Sequence, residues 1–419
     1  MAAGYLEILR TRHAARLLTG TLVGRLPNAT AAIALVLFVR AEGGTYSLAG
    51  ALAAVYGVAN AVGQPVLGRL VDLRGQPRVQ LPAAVLAALA MGAFAFTGTD
   101  PLPLAHVLVA ASGLFTPPLE GGLRALWPSV LRREEQVHTA YAMDAVAQEV
   151  MFTVGPLLVT LCVSAWSERA ALLVLNALGV VGALSVVVSR PSRAWRSAPR
   201  EAHWLGALRS PGLLALLGAF LFVGIALGSI TVASVPYADG HGGDAVYGWM
   251  MAGLGLGALV GGIGYGARQW GGVPERRLRV LVALLAVCYL PLTLLPAAVP
   301  MVLLTVLAGV FLAPCIACAF VIVDRHAPRG TVTEAFSWLV TTFTVGSSVG
   351  TGLAGPVVQA GGARWGFVLP GAAGAVSLLV LLATGRVLAA PARGAVVASS
   401  QENDPNRAVE PRFSSGDRA

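Results

Sequence analysis

Apolar residues run through this chain in blocks of about 20, separated by short polar connections, and that rhythm predicts its architecture. A membrane-crossing helix needs roughly 20 mostly apolar residues. That ruler yields twelve candidates: 17–39, 47–67, 79–98, 104–126, 140–164, 170–189, 212–236, 246–267, 279–297, 301–323, 333–357 and 365–387. The longest internal polar stretch, Arg190 to Ser210, follows the sixth and divides the twelve into two sets of six. The expectation is an all-α integral membrane protein of two six-helix bundles. Residues 1–190 form the first bundle, 191–210 a cytoplasmic linker and 211–390 the second bundle. From 391 to 419 the chain turns polar and is expected to be a disordered cytoplasmic tail. A faint internal repeat supports the duplication: Phe152-Thr-Val-Gly155 in span 5 recurs as Phe343-Thr-Val-Gly346 in span 11.

Composition strengthens the membrane reading. Of 419 residues, 56% are hydrophobic and 12% charged, with mean hydropathy +0.74. A soluble chain carries about 25% charged residues. All 29 basic residues are arginine. Without lysine there is no phosphate-loop ATPase and no lysine Schiff base. The net charge of +9 is not a nucleic-acid footprint, because the arginines gather in alternate connections. Arg40, Arg169 and Arg364 alone fall in the opposite loops, and Arg25 lies within a span. This bias puts both termini in the cytoplasm of a cell membrane. The start of the chain shows no cleavable leader, with Arg10, Arg12 and Arg16 ahead of the first apolar run. Cys162, Cys288, Cys315 and Cys318 lie in or beside apolar runs, where the Cys315–Cys318 spacing fits helix packing better than a metal or disulfide. The histidines sit in loops or near span ends, with no His-Glu-x-x-His, so no metal, cofactor or enzyme chemistry is expected.

The most polar loop between closely spaced spans is Gly68-Arg-Leu-Val-Asp-Leu-Arg-Gly-Gln-Pro-Arg78. On these residues, and on twelve spans split six and six with internal termini, residues 10–390 resemble the major facilitator superfamily. That family's loop pattern is roughly Gly-x-Leu-Ala-Asp-Arg-x-Gly-Arg-Arg. Gly68, Leu70, Asp72 and Gly75 match it; Leu73 stands where an arginine is usual, with Arg74 one place on. Gln76 and Pro77 replace basic residues and Arg78 follows. The resemblance implies a gate at Gly68, Asp72, Arg74, Gly75 and Arg78. Asp72 would there meet arginines and a helix end across the bundles, locking the outward-open state.

Charges inside the apolar blocks supply the candidate site, since burying one costs several kcal/mol and marks function. Thr21, Arg25 and Asn28 share a face of span 1, beside Pro27. Ser112, Thr116, Glu120 and Arg124 follow one another at four-residue steps in span 4. Asp144 and Gln148 do so in span 5, and Glu149 is set near the depth of Arg25. A carboxylate at low dielectric holds its proton more tightly, and an adjacent arginine loosens it. Glu149 and Glu120 are therefore the expected proton or cation sites, with Arg25 and Arg124 their partners. An Arg25–Glu149 or Glu120–Arg124 pair that only fixes packing is the competing reading. Arg25, Asn28, Glu120, Arg124, Gln148 and Glu149 are the expected substrate or proton residues.

Gly155-Pro156 resembles half of a glycine-proline motif of the family's proton-coupled exporters. Gly257 and Gly261, with Gly253, make a smooth face on span 8, expected to pack against span 5 or its neighbours across the bundles. In span 11, Glu334, Ser337, Thr341, Thr344, Ser348 and Thr351 form a hydroxyl stripe expected to face the other bundle or the cavity and not lipid, Glu334 capping its own helix. The function expected is proton-coupled efflux of a small molecule by alternating access, by a lipid-embedded monomer with no nucleic-acid partner. Import or facilitation of a sugar or other metabolite is the alternative. The membrane subunit of an ABC importer is a more remote one.

Overall fold

A computed structural model describes residues 2–131, 133–199 and 204–389. The expected tail of 391–419 lies outside the described residues. Among the described residues eleven helical segments are long and apolar enough to cross a bilayer, and one of them holds two spans. Val332–Ala383 is 52 residues, about 78 Å at 1.5 Å per residue and far beyond a 30 Å hydrocarbon core. It reverses at Gly362, whose φ of 76° only glycine adopts without strain. Spans 11 and 12 are thus 332–361 and 363–383, and the twelve expected spans are all present.

Spans 1 to 3 are Ala14–Ala41, Tyr46–Arg74 and Gln76–Thr97, and span 4 covers Leu102–Val130. Spans 5 to 8 are Glu134–Ala165, Glu168–Val187, Pro211–Asp239 and Asp244–Gly266. Spans 9 and 10 cover Pro274–Leu294 and Ala298–His326. A short helix, Ala2–Arg10, precedes them. Several starts are set by hydroxyl caps that occupy otherwise unpaired N–H groups: Thr45 accepts from Leu48, Ser167 from Ala170 and Ser210 from Leu213. The spans run about five residues past the apolar blocks at several ends, because backbone hydrogen bonding continues into the polar flanks.

Two departures matter for the site. Span 4 is not one rod: Leu102–Leu114 and Leu119–Val130 are separated at Pro117-Pro118, where prolines remove N–H donors. The expected stripe from Ser112 to Arg124 is therefore broken between Thr116 and Glu120. Carbonyls at the break are taken by glutamines of neighbouring spans, Gln64 donating to Thr116 (3.0 Å) and Gln80 to Pro118 (3.4 Å).

The glycine face of span 8 also differs from expectation. A Cβ at Gly253 would press on Thr305, and at Gly257 and Gly261 it would overlap the carbonyls of Val306 and Val310. These glycines therefore bring span 8 onto span 10, inside the second bundle. Gly262 and Gly266 are the ones that face span 5, against Val146 and Ala142. Gly257→Val should cost about 1–3 kcal/mol by overpacking. Gly264→Ala should leave thermal unfolding unchanged, as nothing lies within 4 Å of the added methyl.

The faint repeat is structural. Gly155 packs on Thr30 of span 1, and Gly346 on Leu221 and Ile225 of span 7. Each motif thus seats its span against the first helix of its own bundle. Pro156 sits inside an uninterrupted span 5.

Candidate functional site

Contacts between the bundles gather at the end of the molecule that carries the Gly68–Arg78 loop. Spans 2, 4 and 5 meet spans 8, 10 and 11 there. Asp72, buried at the last turn of span 2, reaches across to the start of span 11. Its two carboxylate oxygens accept from the backbone N–H of Thr333 (3.1 Å) and Glu334 (2.9 Å). Those are orphan donors of a helix N-terminus, where the dipole favours an anion. Close approach is possible because Gly68 faces Ser337 and Glu334, and Gly121 faces Thr333. Gly75 ends span 2 and starts span 3 with φ 85°, a left-handed turn suited to glycine.

The connection between spans 6 and 7 lies over this junction. Arg69 donates to the Trp204 carbonyl at 2.7 Å, and the Glu334 carboxylate accepts from the Ala207 N–H at 3.2 Å. Glu334 was expected to cap its own helix. That place is filled by Asp72, so the Glu334 side chain turns instead to the connection. Gln76, fully buried, accepts from the Ser192 hydroxyl at 2.8 Å, so an amide suits this position where a charge does not.

Deeper between the helices is a ring of four charges. Arg25 of span 1 pairs with Glu120 (2.8 Å) and Asp144 (3.2 Å), and Arg124 pairs with the same two at 3.3 and 2.6 Å. Arg124 and Asp144 are 0% exposed, Arg25 7% and Glu120 14%. The ring is neutral overall, which is how four ions survive burial. The Arg124 guanidinium also lies 3.7 Å from the ring centre of Phe320 in span 10 and 5.9 Å from Phe336 in span 11. Tyr141 completes an aromatic cluster with both. A cation–π contact desolvated like this contributes about 2 kcal/mol. It ties the ring in the first bundle to the second.

The expected site residues divide accordingly. Arg25, Glu120 and Arg124 come together. Asp144, which stood in the sequence only as a neighbour of Gln148, is the acid that closes the ring, and Phe320 and Phe336 were missed because aromatics in apolar blocks carry no signal. Arg25 does not reach Glu149; its guanidinium is occupied by Glu120 and Asp144. Glu149 is half-buried on span 5. Gln148 is buried with its side-chain oxygen unpartnered. Asn28 accepts from Asn60, whose own oxygen accepts from Gln64, extending a polar network through spans 1, 2 and 4. The span 11 stripe is split: Glu334, Ser337 and Thr341 are buried, Thr341 donating to Ala61 of span 2, whereas Thr344, Ser348 and Thr351 are exposed. Cys162, Cys288, Cys315 and Cys318 are free thiols.

A sequence profile described as Major Facilitator Superfamily matches residues 17–304. The chain belongs to the major facilitator superfamily. No curated protein sequence matches it. Solved major facilitators share its fold. A bacterial homologue of the iron transporter ferroportin, in an outward-facing state, superposes with a TM-score of 0.70 at 15% identity, covering 89% of this chain and 99% of that one. The human organic anion transporter MFSD10 gives 0.65 at 18%, covering 87% and 99%. The E. coli fucose:proton symporter FucP gives 0.64 at 15%, covering 88% and 97%. Identities this low show the fold alone. As a major facilitator the chain keeps the implied aspartate at a helix end across the bundles but departs in the arginines. Both Asp72 oxygens are filled by backbone N–H groups, and Arg74 and Arg78 are exposed and make no ion pair among the described residues. The shift of the basic residues to positions 74 and 78 turns them to the surface of the helix ends.

Proposed function

We propose that this major facilitator transporter is a monomer of the cytoplasmic membrane that exports a small, moderately hydrophobic or cationic molecule in exchange for protons. Both termini face the cytoplasm, and bundles 1–190 and 211–390 rock about a midplane chamber, joined by the cytoplasmic linker 191–210. The observation that carries alternating access is the Asp72 cap on span 11: one carboxylate joins the bundles through hydrogen bonds that a rocking motion breaks as a unit. With the arginine-rich loops inside, the junction at Asp72 is the cytoplasmic gate, and the state described is closed to the cytoplasm.

Proton coupling rests on the charge ring and on Glu149. The ring is balanced two against two, so a proton taken by Glu120, its most exposed acid, leaves a net positive charge beside the chamber. That charge disfavours a cationic substrate and loosens Arg124, whose face holds Phe320. Proton and cationic cargo would then occupy the site in turn, which is the requirement of an exchanger. Glu149, on the side of span 5 near the second bundle, supplies a further carboxylate for the same exchange.

Inverted membrane vesicles energised by respiration test this reading. Adding ethidium as a probe cation should release part of the pH gradient, without ATP and only when the protein is present. ATP dependence, or uptake that ignores the gradient, rules the exchange out. In Glu149→Gln we expect normal membrane insertion with proton-driven flux lost; undiminished flux assigns Glu149 to packing.

A further inference from the structure

At the loop end, between spans 5, 8, 9 and 10, is a recess of about 330 Å³ that the transport reading does not use. Its walls carry Arg268 just past span 8 and Arg277 in the first turns of span 9. Among the described residues neither arginine makes an ion pair, and the Arg277 Nε is buried with no hydrogen-bond partner. Both guanidinium groups are held over aromatic rings. Arg268 lies 4.9 Å from the centre of the Trp270 ring, and Arg277 lies 5.9 Å from that of Tyr265 and 5.7 Å from that of Trp270. The two rings are themselves stacked at 5.1 Å, and the indole N–H donates to the Tyr265 carbonyl at 2.7 Å. Rotation of the arginines is thereby restricted before anything binds. The acid on the wall, Glu135, is engaged by Gln269 at 2.8 Å.

Arg277 holds a buried, unpartnered N–H beside the recess and Arg268 stands exposed at its edge, both over the aromatic floor, and guanidinium forks match tetrahedral oxyanions. We propose that this recess binds a phosphate-bearing anion, Arg268 and Arg277 grasping the phosphate and Trp270 flanking it. The location favours a headgroup as the source: arginine and tryptophan at span ends stand at the depth of lipid phosphates, and basic pockets between helices take anionic headgroups. Span 5 contributes His138 and Thr139 while Tyr265, Trp270 and Arg277 belong to the second bundle. A bound anion touching both walls stabilises the state in which the loop end is closed.

The test uses the full-length protein in uncharged detergent, titrated with dihexanoyl phosphatidic acid, dihexanoyl phosphatidylcholine or inorganic phosphate while its thermal midpoint is read. Phosphatidic acid should raise the midpoint and phosphatidylcholine should not. Arg268→Gln alters an exposed side chain and should fold normally; its half-saturating concentration should rise about fivefold. Adding Arg277→Gln should raise it about 25-fold, and Arg268→Lys should recover most of the response. An equal, Arg268-dependent shift with inorganic phosphate makes free phosphate the source. No shift with either phosphate compound, or a wild-type response in Arg268→Gln, overturns the proposal.

Discussion

Replacing Asp72 by Asn should move the protein out of the loop-end-closed state while leaving it folded. The amide keeps one acceptor oxygen but turns its NH2 group toward a helix N-terminus that already presents only donors. Two charge-assisted hydrogen bonds, at 3.1 and 2.9 Å, become at most one neutral bond. The closed state should lose about 3 kcal/mol relative to the alternative, a shift on the order of a hundredfold in their ratio. Spin labels at Leu73 and Arg276, both exposed and on opposite bundles, report the separation by double electron–electron resonance. A new long-distance population should dominate in Asp72→Asn. Arg74→Gln and Arg78→Gln should leave the distribution as it was, since neither side chain joins the cap. An unchanged distance in Asp72→Asn, or a large one in Arg74→Gln, contradicts the assignment of the gate to the carboxylate and helix end.

Asp144→Asn should be the most damaging single change in the charge ring. Asp144 is wholly buried and serves both arginines, accepting from Arg124 Nε at 2.6 Å and Arg25 at 3.2 Å. Its loss leaves two cations facing one carboxylate away from water, at a cost of about 3–5 kcal/mol. Glu120→Gln should cost less because water reaches that carboxylate and can solvate what is left. Adding Arg25→Gln to Asp144→Asn restores the balance with the Glu120–Arg124 pair, so the double variant should be less destabilised than the sum of the singles. Thermal unfolding of the purified variants, Arg25→Gln alone included, followed by tryptophan fluorescence, measures these differences. A midpoint for Asp144→Asn within the range of an ordinary surface substitution, about half a kcal/mol, would show that the ring holds nothing together.

The charge ring also shows how far sequence reasoning reaches. Arg25, Glu120 and Arg124 stand out because ions in apolar blocks are rare, and each was legible. The Glu120–Arg124 pair, four residues apart on one helix, was legible too, but the partners of Arg25 were not. Arg25 and Glu149 are set at similar depth on spans 1 and 5, yet depth says nothing of which helix face turns inward. Asp144, a turn and a half earlier in span 5, is the acid on the face that meets span 1. Arg124 lies near the end of the fourth apolar block, and the helix beyond Pro117-Pro118 carries it fully inside. The glycines of span 8 give the same lesson. Their spacing declared a close contact, whereas the partner, span 10 rather than span 5, depended on the rotation of the helix within its bundle.

By itself the sequence determined the number of spans and their division into two sets, and it singled out Asp72 in the loop between spans 2 and 3. Those follow from local quantities: the length of an apolar block against the thickness of a bilayer, the position of arginines, and one aspartate in a glycine-flanked loop. Only the tertiary structure decided that Asp72 binds backbone N–H groups and not arginines. It also decided that Glu334 serves the connection and that Asp144 closes the ring beneath Phe320 and Phe336. Such choices depend on the relative rotation of helices that are apolar on nearly every face, and a helix without a polar side gives no signal of which way it turns.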